Sequence, residues 1–199
     1  MKRVLFASVA MIASMTAGLA LADSSKPGWP PVPVNGGNAA YIDQIGDLNS
    51  NAQTQYGKTN LSDNWQKGSR NAVVTYQDGT ANRAFVNQNG DRNYANQLQD
   101  GTANLAKVDQ SDAGNTAHQK QFGTANEASI VQSGFDGHFG WGPVNAGNFA
   151  SQYQDGVMNE AAIAQKGMVN TAYQTQMSNG NLAIANQTGA SNYSTQTQR

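Results

Sequence analysis

The chain has 199 residues, 12 Lys and Arg against 13 Asp and Glu, and no cysteine. Neither disulfides nor thiolate metal sites hold it together, and a net charge of −1 with both signs scattered argues against nucleic acid or anionic membrane as its main partner. Leu, Ile, Val and Phe supply 32 of the 199 residues, fewer than the roughly 20% that marks disordered composition, yet so low a net charge removes the repulsion that keeps disordered chains open.

In chain order, residues 1–22 read as a secretory signal peptide. Lys2 and Arg3 precede a short apolar run from Val4, and Ala20-Leu21-Ala22 forms a small-x-small cleavage site before Asp23. The run is broken by Ser8, Ser14 and Thr16, which disfavours a membrane anchor. With no cysteine after the site, a bacterial-type lipid anchor is excluded, and the mature chain is expected to be secreted. Residues 23–37, DSSKPGWPPVPVNGG, read as a Gly/Pro-rich leader. Pro30, Pro31 and Pro33 forbid helix and central strand there, so the segment reads as an extended leader or linker, or as a disordered tail, which is compatible with recognition during export.

From residue 38 to residue 199 the chain repeats itself. The block QDGTAN stands at 77–82 and again at 99–104, with the looser QNGDRN midway at 88–93. Glutamine recurs every eleven residues, at Gln44, Gln55, Gln66, Gln77, Gln88, Gln99, Gln110, Gln121, Gln132, Gln154, Gln165, Gln176, Gln187 and Gln198. Asparagine keeps the same step, at Asn38, Asn49, Asn60, Asn71, Asn82, Asn93, Asn104, Asn115, Asn126, Asn148, Asn159, Asn170, Asn181 and Asn192. Pro143 and Gly137 are the only exceptions in the two series. The unit is N-x-A-x-ψ-x-Q-x-G-x-x. Asn, Ala, ψ and Gln fall on every second residue, so they share one face of a strand. The x-G-x-x that follows is an arc whose Gly can take positive φ.

Between residues 38 and 199 there are 21 charged side chains, none of them at an Asn, Ala, ψ or Gln position. An unpaired buried charge is too costly to tolerate, so this face is the inner one. At ψ, apolar and polar residues alternate: Ile42, Gln53, Asn64, Thr75, Val86, Gln97, Val108, Gln119, Ile130. The true period is therefore 22 residues, two strands per coil, and the fold class is all-β: a β-solenoid of two stacked parallel sheets. Like residues then stack about 4.8 Å apart. Each amide carries a donor and an acceptor, so repetition can satisfy a buried amide by bonding it to the copies above and below.

One unit is irregular. After Gln132 the chain reads SGFDGHFGWGPVNAGNFASQY before Gln154, and the ψ alternation changes phase: Gln152, Ile163, Gln174, Ala185, Gln196. Removing one eleven-residue unit restores it. A loop at 133–145 is expected, leaving fourteen strands in seven coils, with Ile163 on Ile130 and Gln152 on Gln119.

These motifs resemble the curlin repeat of bacterial curli fibres, and the resemblance covers residues 38–199. It implies a structural subunit of a functional amyloid fibre at the cell surface, serving adhesion and the biofilm matrix. Its partners would be further copies of itself, another curlin subunit, a dedicated secretion pore and accessory chaperones. NAAYIDQ at 38–44 and the terminal TQR are similar to the minor, nucleating subunit; the regularity along the whole chain is more like the major one. The unit with His138, Trp141 and Pro143 departs from the family pattern.

No catalytic, cofactor or metal site is expected. His118 lies outward on a strand and His138 in the expected loop, neither with ligand spacing. Asp78, Asp100 and Asp155 read as turn residues that also slow premature stacking. HFGWG at 138–142 reads as a surface loop, with ligand binding through its aromatics as the alternative. A monomeric solenoid adhesin or ice-binding protein would want an outward Thr or aromatic array on a strand face, but Thr80, Thr102 and Thr124 are expected on arcs. A solenoid hydrolase would want clustered outward carboxylates, which are lacking.

Overall fold

The computed structural model describes residues 36–134 and 147–199. The expected signal peptide, residues 23–35 of the leader and residues 135–146 lie outside the described residues. Fourteen strands follow one another: β1 (Ala39–Ile45), β2 (Ser50–Gln55), β3 (Leu61–Ser69), β4 (Ala72–Thr80), β5 (Arg83–Asp91), β6 (Tyr94–Thr102), β7 (Leu105–Ala113), β8 (Thr116–Thr124), β9 (Glu127–Ser133), β10 (Phe149–Val157), β11 (Glu160–Met168), β12 (Thr171–Gln176), β13 (Leu182–Ala190) and β14 (Tyr193–Gln198). The odd strands form one seven-stranded sheet and the even strands the other. All pairs are parallel, so the chain is a β-solenoid of seven coils with 22 residues in each regular coil.

The register follows the repeat. Gln44 pairs with Gln66, and Gln77 with Gln99. Across the irregular unit the step is one eleven-residue unit longer. Ile163 pairs with Ile130, and Gln152 with Gln119, as the ψ phase requires. Of the segment expected as a loop, Ser133 closes β9 and pairs with Ser111 and Lys166, Gly134 follows it, and the remainder lies outside the described residues.

Strand pairing runs further round the coil than the motif suggests. In β3 to β8, β10, β11 and β13 it continues through the glycine position and one residue beyond, so these strands are nine residues long and Thr80, Thr102 and Thr124 end β4, β6 and β8 in register. The threonines expected on arcs, and Asp78, Asp100 and Asp155 expected as turn residues, thus lie within paired strands instead. The glycine bends at φ 109° in Gly79 and 126° in Gly101 without breaking the ladder.

The core is a narrow spine. Val86, Val108, Ile130, Ile163 and Ala185 of the odd sheet meet Val73, Ala95, Ala117, Ala150 and Ala172 of the even sheet. Small residues on one wall let large ones on the other fill the gap between sheets, which is why Ala recurs two residues after Asn. The first two coils differ, because Asn51, Gln53, Ser62, Asn64 and Thr75 occupy their interior.

Candidate functional site

The residues singled out by the repeat come together as continuous ladders. Along the odd sheet, Gln44, Gln66, Gln88, Gln110, Gln132, Gln165 and Gln187 form one chain in which each Nε2 donates to the next Oε1 at 2.5–2.9 Å. Along the even sheet, Gln55, Gln77, Gln99, Gln121, Gln154, Gln176 and Gln198 do the same at 2.6–2.9 Å. From Gln55 onward, each Nε2 spends its second hydrogen on a backbone carbonyl of the facing strand: Gln77 on Leu61, Gln99 on Arg83, Gln110 on Tyr94. The amide thus joins neighbouring coils and also the two sheets. A shorter ladder runs from Gln97 through Gln119, Gln152 and Gln174 to Gln196.

The asparagines act differently from the expected amide-to-amide stack. Asn60 Oδ1 accepts the backbone N–H of Asn82, while its Nδ2 donates to the carbonyl oxygens of Tyr56 and Gly79. The pattern repeats at Asn82, whose Oδ1 accepts from Asn104 N–H and whose Nδ2 donates to Asp78 and Gly101. Asn clamps the corner because it sits where the chain leaves the arc, within reach of two backbones. Direct Asn-to-Asn side-chain bonds join this clamp at Asn104, Asn115, Asn148, Asn170 and Asn192.

Two features of the corner carry no sequence signal beyond the glycine itself. A Cβ added at Gly101 would lie 2.0 Å from the Gly123 carbonyl oxygen. The glycine ladder is therefore demanded by backbone stacked on backbone as well as by φ. The residue before most of these Asn is also left-handed although it is usually not glycine, as at Ala81 (φ 59°), Arg92 (φ 56°), Ala103 (φ 57°) and Ala125 (φ 55°). Such a residue is strained by about 1–2 kcal/mol.

Every glutamine ladder has the same polarity, donor toward the C-terminal end and acceptor toward the N-terminal end. Among the described residues, Gln44 and Gln55 have no coil before them, and Gln187 and Gln198 have none after. Unpaired buried atoms stand at both ends. At the N-terminal coil, Asn51 Nδ2 and Gln53 Oε1 are buried without a partner, and at the C-terminal coil so is Ser194 Oγ. Asn51 heads the ladder column that Ser194 ends, and Gln53 heads the one that Gln196 ends. A second copy placed on the helical repeat would set Ser194 Oγ to accept from Asn51 Nδ2, and Gln196 Nε2 to donate to Gln53 Oε1. Gln97 Oε1, Ser62 Oγ and Asn64 Oδ1 are also unpaired, around Thr75, which interrupts the Gln53–Gln97 column.

Titratable groups sit outside the ladders. Burial, and then the neighbouring Asp43, holds the Asp63 carboxyl above the usual range. Burial, and then Lys120, pushes His118 down. Among the described residues, no three His, Cys, Asp or Glu side chains are grouped to hold a metal ion. A comparison with protein-family models finds no match, and a comparison with curated proteins finds none either.

Proposed function

We propose that this chain is the structural subunit of an extracellular fibre of the curli type, assembling by end-to-end stacking of its coils. The observation that carries this is the pair of open ends. One presents glutamine acceptors and an unpaired Asn51 amide, the other glutamine donors and an unpaired Ser194 hydroxyl. A buried polar atom without a partner costs about 1–3 kcal/mol, and an uncovered strand edge is a template for pairing. Docking of another copy relieves both costs with chemistry that the chain already uses between its own coils. The resemblance of the repeat to the curlin motif and the export signal at residues 1–22 support the same reading. They also extend it to secretion through a dedicated pore and to growth from a second, nucleating subunit at the cell surface.

The test is assembly kinetics. Purified mature chain should form fibres with cross-β diffraction near 4.8 Å, the strand spacing. Gln55→Ala and Gln187→Ala, at the ends, should lengthen the lag and slow elongation. Gln99→Ala and Gln110→Ala should mainly weaken the subunit, because the flanking amides lose a partner at about 1–3 kcal/mol. A chain that stays monomeric, or four variants that all assemble at the wild-type rate, would overturn the proposal. A monomeric solenoid gives the opposite order, with only the central substitutions felt.

A further inference from the structure

The outer face of the even sheet carries a regular array that stacking does not use. From β6 to β14, each strand presents one ring and one small uncharged polar side chain at its first and third residues, and the two exchange places from coil to coil. The first column reads Tyr94, Thr116, Phe149, Thr171, Tyr193, and the third reads Asn96, His118, Ser151, Tyr173, Thr195. The five rings form a zigzag with successive centroids 5.5, 5.6, 5.4 and 6.1 Å apart and planes inclined by 45–56°. Such tilted rings leave part of each face open to solvent, and Tyr173 and Tyr193 are 39% and 69% exposed.

We propose that this checkerboard binds an extended, neutral, β-linked polysaccharide lying along the solenoid axis. Three observations select that occupant. Rings provide apolar platforms for the C–H faces of sugars, and the hydroxyl and amide groups beside them supply donors and acceptors without charge. Rings in one column recur every second strand, about 9.6 Å, which suits a chain whose successive sugars alternate their faces. Charge then separates a neutral polymer from an anionic one. Across the first, third and fifth residues of β6, β8, β10, β12 and β14, Lys120 is the single formally charged side chain. The same positions of β5, β7, β9, β11 and β13 carry Arg83, Lys107, Asp109, Glu127 and Glu160. A nucleic acid would need basic residues along its path. Size argues against a folded protein. Even taken out to the fifth residue, this face of the five strands measures about 19 by 13 Å, roughly 250 Å², against the roughly 800 Å² that a stable protein interface takes from each partner. A narrow strip suits a chain.

The array lies within one subunit, so its test does not depend on fibre formation. The full chain is run in native gels containing soluble hydroxyethyl cellulose, as the β-linked probe, or soluble starch, as the α-linked one. Cellohexaose titration in solution, followed by tyrosine fluorescence, gives the affinity. The variant Tyr94→Thr, Phe149→Thr, Tyr173→Thr places at three ring positions a residue that the array already accommodates at Thr116, Thr171 and Thr195. A control variant, Trp65→Thr with Phe85→Thr, alters rings of the other sheet. The wild-type chain should be retarded by the β-glucan and not by starch. The triple variant should bind at least about tenfold more weakly, in line with the loss of several stacking contacts, while its circular dichroism is unchanged and the control binds as wild type. Equal binding by the triple variant, equal loss in the control, equal retardation by starch, or a change confined to self-association would each overturn the proposal.

Discussion

At the scale of single residues, the corner decides what the sequence may vary. Gly101 and Ala103 both have positive φ, yet their substitutions should move stability in opposite directions. Gly101→Ala adds a Cβ into the Gly123 carbonyl oxygen and should cost more than about 3 kcal/mol. Ala103→Gly removes left-handed strain and should gain up to about 1 kcal/mol after the entropy of the freer unfolded chain is subtracted. Urea unfolding of the two variants measures both. The repeat made the glycine legible, because it recurs; the left-handed residue two places later varies among Leu, Ala, Arg, Thr, Met, Val and Ser, and strain without a residue preference leaves nothing to read.

Asp63 and His118 give stability a pH dependence of opposite signs. Asp63 has a raised folded value, so its contribution is present below its unfolded value of about 3.9 and is lost as pH rises through the folded one. His118 has a lowered folded value, so its contribution is present above about 6.5 and is lost as pH falls through the folded one. Asp63→Asn should therefore stabilise at neutral pH and leave strongly acidic solutions unaffected. His118→Phe should remove part of the fall below pH 6.5 while keeping a ring in the zigzag. Unfolding midpoints across the pH range check both signs.

At the scale of elements, strand number, direction and pairing were legible because each ladder repeats one residue type at one spacing. The phase change at ψ even located the extra unit: Ile163 pairs with Ile130, not with a residue 22 positions before it. Two details were not legible. Pairing extends through the glycine, since a bent backbone continues its hydrogen bonds wherever the next coil bends identically. Asn bonds mainly to backbone, which depends on where the corner brings main-chain atoms and not on composition. The register makes a sharp prediction. Deleting residues 135–145 leaves Gly134 two residues after Gln132 and restores the ordinary spacing from Gln132 to the following Asn. The deletion should preserve the circular dichroism and shift the thermal midpoint by no more than a few degrees, equivalent to about 1 kcal/mol. A loss of folding would mean that the extra unit belongs to the stack.

At the scale of the whole molecule, the solenoid is a polar rod with ends that differ. Its interior is satisfied by repetition, so the middle coils have fully buried ladders while Gln44, Asn49, Asn181, Asn192 and Gln198 at the ends are only partly covered. The sequence showed that the end coils would lack partners; the direction of the amide chain, and the matching of Ser194 to Asn51, are set by the folded geometry. The most direct test of end-to-end stacking exploits the absence of cysteine. Asn51→Cys and Ser194→Cys lie six coils apart within one subunit, about 29 Å, too far for an internal disulfide. Across a head-to-tail junction the same positions become neighbours at about 4.8 Å, within disulfide reach. Under mild oxidation of assembled protein, the double variant should give a covalent ladder of multimers, and an equal mixture of the two single variants should stop at dimers. Single variants that cross-link to themselves as efficiently, or a double variant that yields no ladder although fibres form, would contradict the account.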